Sequence, residues 1–197
     1  MPGLASPTLK LCLVAPSGSG KSTTAGLMRE TFEARGLSVG IVKLAAPLYR
    51  LQSMFYAEAG MAIDPDAQDQ RLLESVATHL RRIHPESLAR RFLLGLADTQ
   101  ADVVINDDLR DDIVDWPALQ RAGFIVVKLV ARPALRRQRL ASRMDPSIVE
   151  DSPLDAQMAR IRPSYVLTNN GSLDELRSQV EGLCARLLAQ PAEAVAA

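Results

Sequence analysis

The sequence predicts an α/β fold, a three-layer sandwich in which a five-stranded parallel sheet lies between two layers of helices. Short aliphatic and β-branched runs alternate with longer helical stretches, a pattern that builds parallel sheets through right-handed crossovers. The runs are apolar nearly throughout, as strands covered on both faces require. The first run also passes into a helix through a glycine-rich loop, Ala15-Pro16-Ser17-Gly18-Ser19-Gly20-Lys21-Ser22-Thr23.

The elements follow in order. Strands are expected at 9–15, 38–44, 102–107, 124–130 and 165–169. Helices are expected at 21–34, ending near Gly36, then at 47–59, 69–83, 86–97, 113–121, 133–143 and 172–189. Ser172 followed by Glu175 forms a capping box, while Pro85 and Pro133 stand where helices begin or break. Two interruptions depart from simple alternation: a mostly helical insertion at 45–100 and a polar stretch at 144–162. Insertions outside a sheet's core often carry function. No repeat or linker divides the chain, so residues 1–190 read as one domain and 191–197 as a flexible tail.

Composition narrows the function. Hydrophobic residues make up 47% of the 197, enough for a sizeable core. Lys and Arg total 23 against 23 Asp and Glu, a net charge of zero, which argues against partners such as a nucleic-acid polymer or a membrane surface. No run approaches the ~18 apolar residues of a membrane span, and the first eight residues lack a signal-peptide pattern, so a cytoplasmic location is expected. Cys12 and Cys184 lie in apolar segments without metal spacing and read as buried free thiols. The charges are nonetheless blocked. Five arginines and no acid occupy 132–143, and seven aspartates surround Arg110 within 98–115.

The glycine-rich loop sits between strand and helix, the context a phosphate-binding loop requires. Gly18 and Gly20 let successive N–H groups turn inward as an anion nest, to which the helix adds its positive end. Ser17, Ser19 and Thr23 complete the cradle, Lys21 reaches the β and γ phosphates of ATP, and the Ser22 hydroxyl serves Mg²⁺. Ala15 stands where the strict pattern has glycine. Neither Asn-Lys-x-Asp nor a strand-terminal Asp-x-x-Gly occurs, which excludes a switch GTPase.

At the end of the third predicted strand stands Asn106-Asp107-Asp108-Leu109-Arg110. A carboxylate leaving a central strand beside a phosphate loop holds Mg²⁺ through water or orients an acceptor. Asp107 and Asp108 are the metal candidates, and Asp108 with Arg110 the candidates at the transfer point. Asp111, Asp112 and Asp115 read as charges at the start of the next helix.

Taken together, these segments resemble the phage-type deoxynucleoside monophosphate kinases, within the P-loop nucleoside monophosphate kinase group that includes dephospho-coenzyme A kinase. Lys43-Leu44-Ala45-Ala46-Pro47-Leu48-Tyr49 resembles the family's segment after the second strand, and 71–82 its Arg-x-Leu-Leu-Gln helix. Asp108-Leu109-Arg110 is similar to its Asp-Val-Arg, and 165–173 to its last strand and Asn-x-Gly-Ser-Leu turn. The resemblance implies transfer of the γ-phosphoryl of ATP to the phosphate of a nucleoside monophosphate. Arg71 and Arg82 would hold that phosphate, with Lys43, Tyr49 and Tyr56 also on the acceptor side, and Asn169 and Asn170 would line the adenine. Ala46, Tyr49, Glu74 and Ala77 depart from the family's acid, lysine, glutamine and glycine. Another small phosphate-bearing acceptor, dephospho-coenzyme A or a specialised metabolite, is the alternative within the class. A P-loop ATPase or nucleotide-binding regulator is the alternative outside it. The sequence leaves a homodimer open.

Phosphoryl transfer gathers negative charge, and arginines on a mobile segment neutralise it while excluding water. Region 132–162 is therefore the expected lid. Arg132, Arg136, Arg139 and Arg143 share one helical face, with Arg132 on the ATP and Arg136 and Arg139 at the reacting phosphoryl. Replacing Arg136 or Arg139 by Ala is expected to lower turnover by about 10²-fold or more. Steady-state kinetics checks this, and full activity in both single variants and the double removes the lid assignment.

Overall fold

The computed structural model of the chain describes residues 9–64, 67–97, 99–142 and 153–190. Its elements run β1 (Leu9–Val14), α1 (Lys21–Glu33), β2 (Val39–Ile41), α2 (Ala46–Glu58), α3 (Gln70–Ile83), α4 (Ser87–Ala97), β3 (Val103–Asn106), α5 (Asp115–Arg121), β4 (Ile125–Val130), α6 (Pro133–Ala141), α7 (Pro153–Arg160), β5 (Tyr165–Thr168) and α8 (Leu173–Ala189). The five strands pair in parallel in the order β2-β3-β1-β4-β5. This is the expected α/β sandwich.

Side chains of a strand alternate between faces, and here the alternation divides two cores. Leu11, Leu13, Val103, Ile105, Val127 and Leu129 face α1 and α8, where Met28, Phe32, Val180 and Leu183 complete the packing. Cys12, Val14, Val104 and Val126 face the other way, against Leu48 of α2, Val76 of α3, Phe92 of α4 and Leu119 of α5. Both cysteines are free and fully buried. Burial pushes the Cys12 thiol well up and holds that of Cys184 at about 12, so neither is a nucleophile at neutral pH.

Three expectations change in detail. The second strand leaves the sheet after Ile41, because Leu44 and Ala45 direct their N–H groups to the Asp108 carboxylate and turn the chain into α2. Helix α5 starts at Asp115 rather than 113, because Asp111 Oδ1 first collects the N–H groups of Ile113, Val114 and Asp115 in a tight turn. The stretch read as a polar lid contains α7. Its Met158, together with Ile161 just beyond it, is buried in the second core, and Arg160 forks onto Asp112 at 2.5 and 2.9 Å, which anchors the far end of region 132–162. Arg143, the rest of 143–152 and the tail 191–197 lie outside the described residues.

The central strand β1 is where the connections diverge to opposite sides. In open parallel sheets the crevice at the carboxyl ends of the strands beside such a point receives ligands. The loops after β1 and β3 meet there, with α2, α3 and α4 of the insertion alongside. No helix among the described residues is long and apolar enough to cross a membrane. Phe32 is wholly buried between α1 and the sheet, so Phe32→Ala should lower unfolding free energy by about 3–5 kcal/mol in urea titration.

Candidate active site

The phosphate loop is built from the end of β1. Ala15 is buried in the first core, so its methyl packs inward where the strict pattern has glycine. Ser19 N–H donates to the Pro16 carbonyl at 3.3 Å and Thr24 N–H to the Gly20 carbonyl at 2.9 Å, closing the turn. Gly18 and Gly20 have φ of 78° and 95°, backbone that side chains rarely adopt. A Cβ at Gly18 would lie 2.7 Å from the Arg136 carbonyl, and one at Gly20 would collide with the Asn169 amide. Lys21 Nζ lies under the loop, donating to the Ala15 carbonyl at 2.5 Å.

Helix α6 packs directly over this loop. Arg136 Nε donates to the Ser17 carbonyl at 2.9 Å. Arg139 Nη2 donates to the carbonyl and side-chain oxygen of Asn169 at 3.1 and 3.2 Å, and Asn169 Nδ2 in turn donates to the Ser19 carbonyl at 2.9 Å. Asn170 Oδ1 accepts from the Arg132 backbone at 2.7 Å; the Arg132 side chain is exposed. A cavity of about 300 Å³ opens between Gly20, Thr23, Arg139, Asn169 and Gly171. Arg139 Nη1 is buried beside it without a hydrogen-bond partner, a donor suited to a nucleotide.

On the other side of the loop, a cavity of about 120 Å³ brings together Ser17, Lys21, Ser22, Lys43, Asp107 and Arg110. Asp107 is 3% exposed and ion-paired with Lys43. The Ser22 hydroxyl and the Asp107 carboxylate are hard oxygen donors in one space, which fits Mg²⁺, an ion that takes few protein ligands and keeps phosphate oxygens and waters.

Asp108 differs from its neighbour. Oδ1 accepts from Leu44 N–H at 2.9 Å and Asn106 Nδ2 at 2.6 Å, and Oδ2 from Ala45 N–H at 3.0 Å. Burial still holds its carboxyl above the usual range, against those donors. Both oxygens therefore fix backbone, and Asp107 is the carboxylate with capacity to spare at the phosphate loop.

A third cavity, of about 230 Å³, lies between α2, α3 and α5. Its walls are mostly apolar, from Leu44, Leu48, Leu73, Ala77 and Leu88, and it meets the phosphate-side cavity at Tyr49, Asp108 and Arg110. Burial, followed by Asp108, pushes the Tyr49 hydroxyl well up, so it remains a neutral donor.

The structure brings Lys21, Ser22, Lys43, Tyr49, Asp107 and Arg110 together around one cavity, with Arg136 and Arg139 above the loop. Three expected acceptor residues lie elsewhere. Arg71 and Arg82 are exposed on α3 and line neither of these two cavities. Tyr56 turns its hydroxyl to Asp69 at 3.0 Å, bracing the start of α3, where Asp69 also accepts from Leu72 N–H. The arginine on the cavity face is Arg81, one and two turns beyond Ala77 and Leu73 on the same helical stripe. That spacing was the available signal, hidden by the neighbouring Arg82. Asp115, expected as a charge at the start of the next helix, is the first residue of α5, and it is also 1% exposed and paired with Arg81 at 2.5 Å.

Burial raises the Asp115 carboxyl above its ordinary range, only partly offset by Arg81. The folded chain therefore binds this proton more tightly than the unfolded one, and the group's contribution falls as pH rises through the carboxylate range. In urea titrations from about pH 4 to pH 6, Asp115→Asn should remove part of any loss of stability with rising pH; an unchanged slope contradicts this.

No family model matches the chain. Solved structures with the same fold include the Mycobacterium tuberculosis APS kinase in complex with AMPPNP and APS, at TM-score 0.53 and 19% identity, covering 94% of this chain and 100% of that one. The shikimate kinase from Acinetobacter baumannii in complex with shikimate superposes at TM-score 0.54 and 14% identity, covering 93% and 94%. Among curated proteins, dephospho-CoA kinase of Syntrophotalea carbinolica is 32% identical over 209 aligned positions, spanning 91% of this chain and 92% of that protein. With the phosphate loop, the β3 carboxylate and the arginine helix in place along that length, the chain belongs to the dephospho-CoA kinase family of P-loop kinases.

Proposed function

We propose that the protein transfers the γ-phosphoryl of ATP to a small acceptor held under α2, α3 and α5, and that dephospho-coenzyme A is the first acceptor to consider. The observation that carries this is the junction of two cavities. One is polar and holds the phosphate loop with Asp107, and the other is apolar; Arg110 and Tyr49 line both. Two ligands bound in them meet beside Lys21, which converts a bimolecular reaction into a positioned one. Family membership favours dephospho-coenzyme A over the nucleoside monophosphate suggested by the sequence.

Each group then has a role. The loop N–H groups and Lys21 cradle the β and γ phosphates, Asn169 and Arg139 hold the nucleotide's far side, and Arg136 sits over the γ position. Mg²⁺, when bound at Ser22 and Asp107, would neutralise charge on the transferred group. Arg110 steadies the acceptor at the junction, and Asp108 is a positioning residue that holds the start of α2. Transfer of this kind depends on placement and charge compensation more than on covalent help from the protein. A second reading, in which a nucleoside monophosphate's own phosphate is the acceptor, is favoured by Arg110, a cation where that phosphate would lie.

The test is an acceptor screen with ATP and Mg²⁺, scored by ADP release, across dephospho-coenzyme A, nucleoside monophosphates and unphosphorylated metabolites. One acceptor is expected to raise turnover steeply, and Asp107→Asn to lower that turnover by about 10²-fold or more. Release that ignores every acceptor points instead to an ATPase.

A further inference from the structure

At the deep end of the apolar cavity, α3 and α5 meet through one ion pair. Arg81 Nη2 donates to Asp115 Oδ2 at 2.5 Å, and both residues line the cavity. The pairing is incomplete. Asp115 Oδ1 and Arg81 Nε are buried and neither has a hydrogen-bond partner. A buried polar group left unmatched is costly, more so when charged, so an ion pair that leaves one acceptor and one donor unanswered favours a ligand that meets both. Asp111 does not complete the pair, its Oδ1 being taken by three backbone N–H groups.

The complement is chemically narrow. It must offer a donor and an acceptor on one edge and be apolar on its faces to suit Leu48, Leu73, Ala77 and Leu88. A secondary amide does not qualify, since its trans geometry points N–H and C=O in opposite directions. A heterocycle with an exocyclic amine beside an unprotonated ring nitrogen does.

We propose that Asp115 and Arg81 read the base of the acceptor, Asp115 Oδ1 accepting from an exocyclic amine and Arg81 Nε donating to the adjacent ring nitrogen. This rests on the kinase reading above and makes the acceptor an amino-substituted nucleotide. The corresponding oxo base sets a carbonyl against the carboxylate and a ring N–H against the guanidinium, so both contacts become repulsive.

The experiment compares kcat/KM for two matched pairs, dephospho-coenzyme A against its 6-oxo analogue carrying hypoxanthine, and CMP against UMP, in the wild type and in Asp115→Asn. The wild type should favour the amino member of the productive pair by about tenfold or more. In Asp115→Asn the amide oxygen turns to Arg81 and its NH₂ faces the base, so the preference should fall by at least about tenfold or invert. Equal use of amino and oxo members by the wild type overturns the proposal while leaving the kinase reading intact, since Oδ1 and Nε would then be closing on each other. An unchanged ratio in a folded Asn variant also overturns it. Phosphorylation of none of the four overturns this proposal and leaves the kinase reading to the wider acceptor screen, and the wild-type ratio decides even where the variant does not fold.

Discussion

The site depends on a small knot at the end of β3. Asn106 is wholly buried. Its amide donates to the Val42 carbonyl at 3.0 Å and to Asp108 Oδ1 at 2.6 Å, and its oxygen accepts from Leu109 N–H at 3.0 Å. Asp108 then holds the N–H groups of Leu44 and Ala45. These bonds join chain segments more than 60 residues apart and fix where the helical insertion leaves the sheet. Charge-assisted bonds to buried backbone are among the stronger ones available. With the knot in place, Asp107 and Lys21 line one cavity, Arg110 lies between two cavities, and α2 walls the apolar one. Without it, the base of the insertion would lose its register to the phosphate loop.

A second constraint acts from the opposite side of β1. Helix α6 lies close enough to the loop that only glycine fits at 18, and Asn169 close enough that only glycine fits at 20. Arg136 and Asn169 satisfy loop carbonyls there, and Arg139 holds Asn169. The acidic block near 107 and the arginine block near 136 thus face one loop from its two sides. Charges cancel only over the whole chain, and the two blocks place cations on one side of the loop and carboxylates on the other. The chain's neutrality is a property of the total and not of the site.

Much of this was legible in the sequence. Strand positions could be read because apolar runs covered on both faces are unlike anything in the helices, and the phosphate loop because glycine, lysine and hydroxyl groups at that spacing have few structural uses. Less legible were features set by tertiary contact. Arg81 and Arg82 are adjacent in sequence, and only the packing of α3 decides which one enters the cavity. Asp115 is the helix-start charge its position suggests, but its burial against Arg81 of α3 is set by packing alone. Helix α7 was hidden because its polar surroundings mask the apolar pair Met158 and Ile161. Tyr56, expected on the acceptor side, is instead held by Asp69.

The account stands or falls on where the γ-phosphoryl goes. The most direct measurement is a single-turnover reaction with γ-labelled ATP, Mg²⁺ and dephospho-coenzyme A in excess, followed by separation of labelled products. Label appearing on the acceptor, with little in inorganic phosphate, is the predicted result, because an acceptor bound in the apolar cavity would adjoin the phosphate-loop cavity while α6 covers the loop. Label released as inorganic phosphate at one rate with and without any acceptor would contradict it.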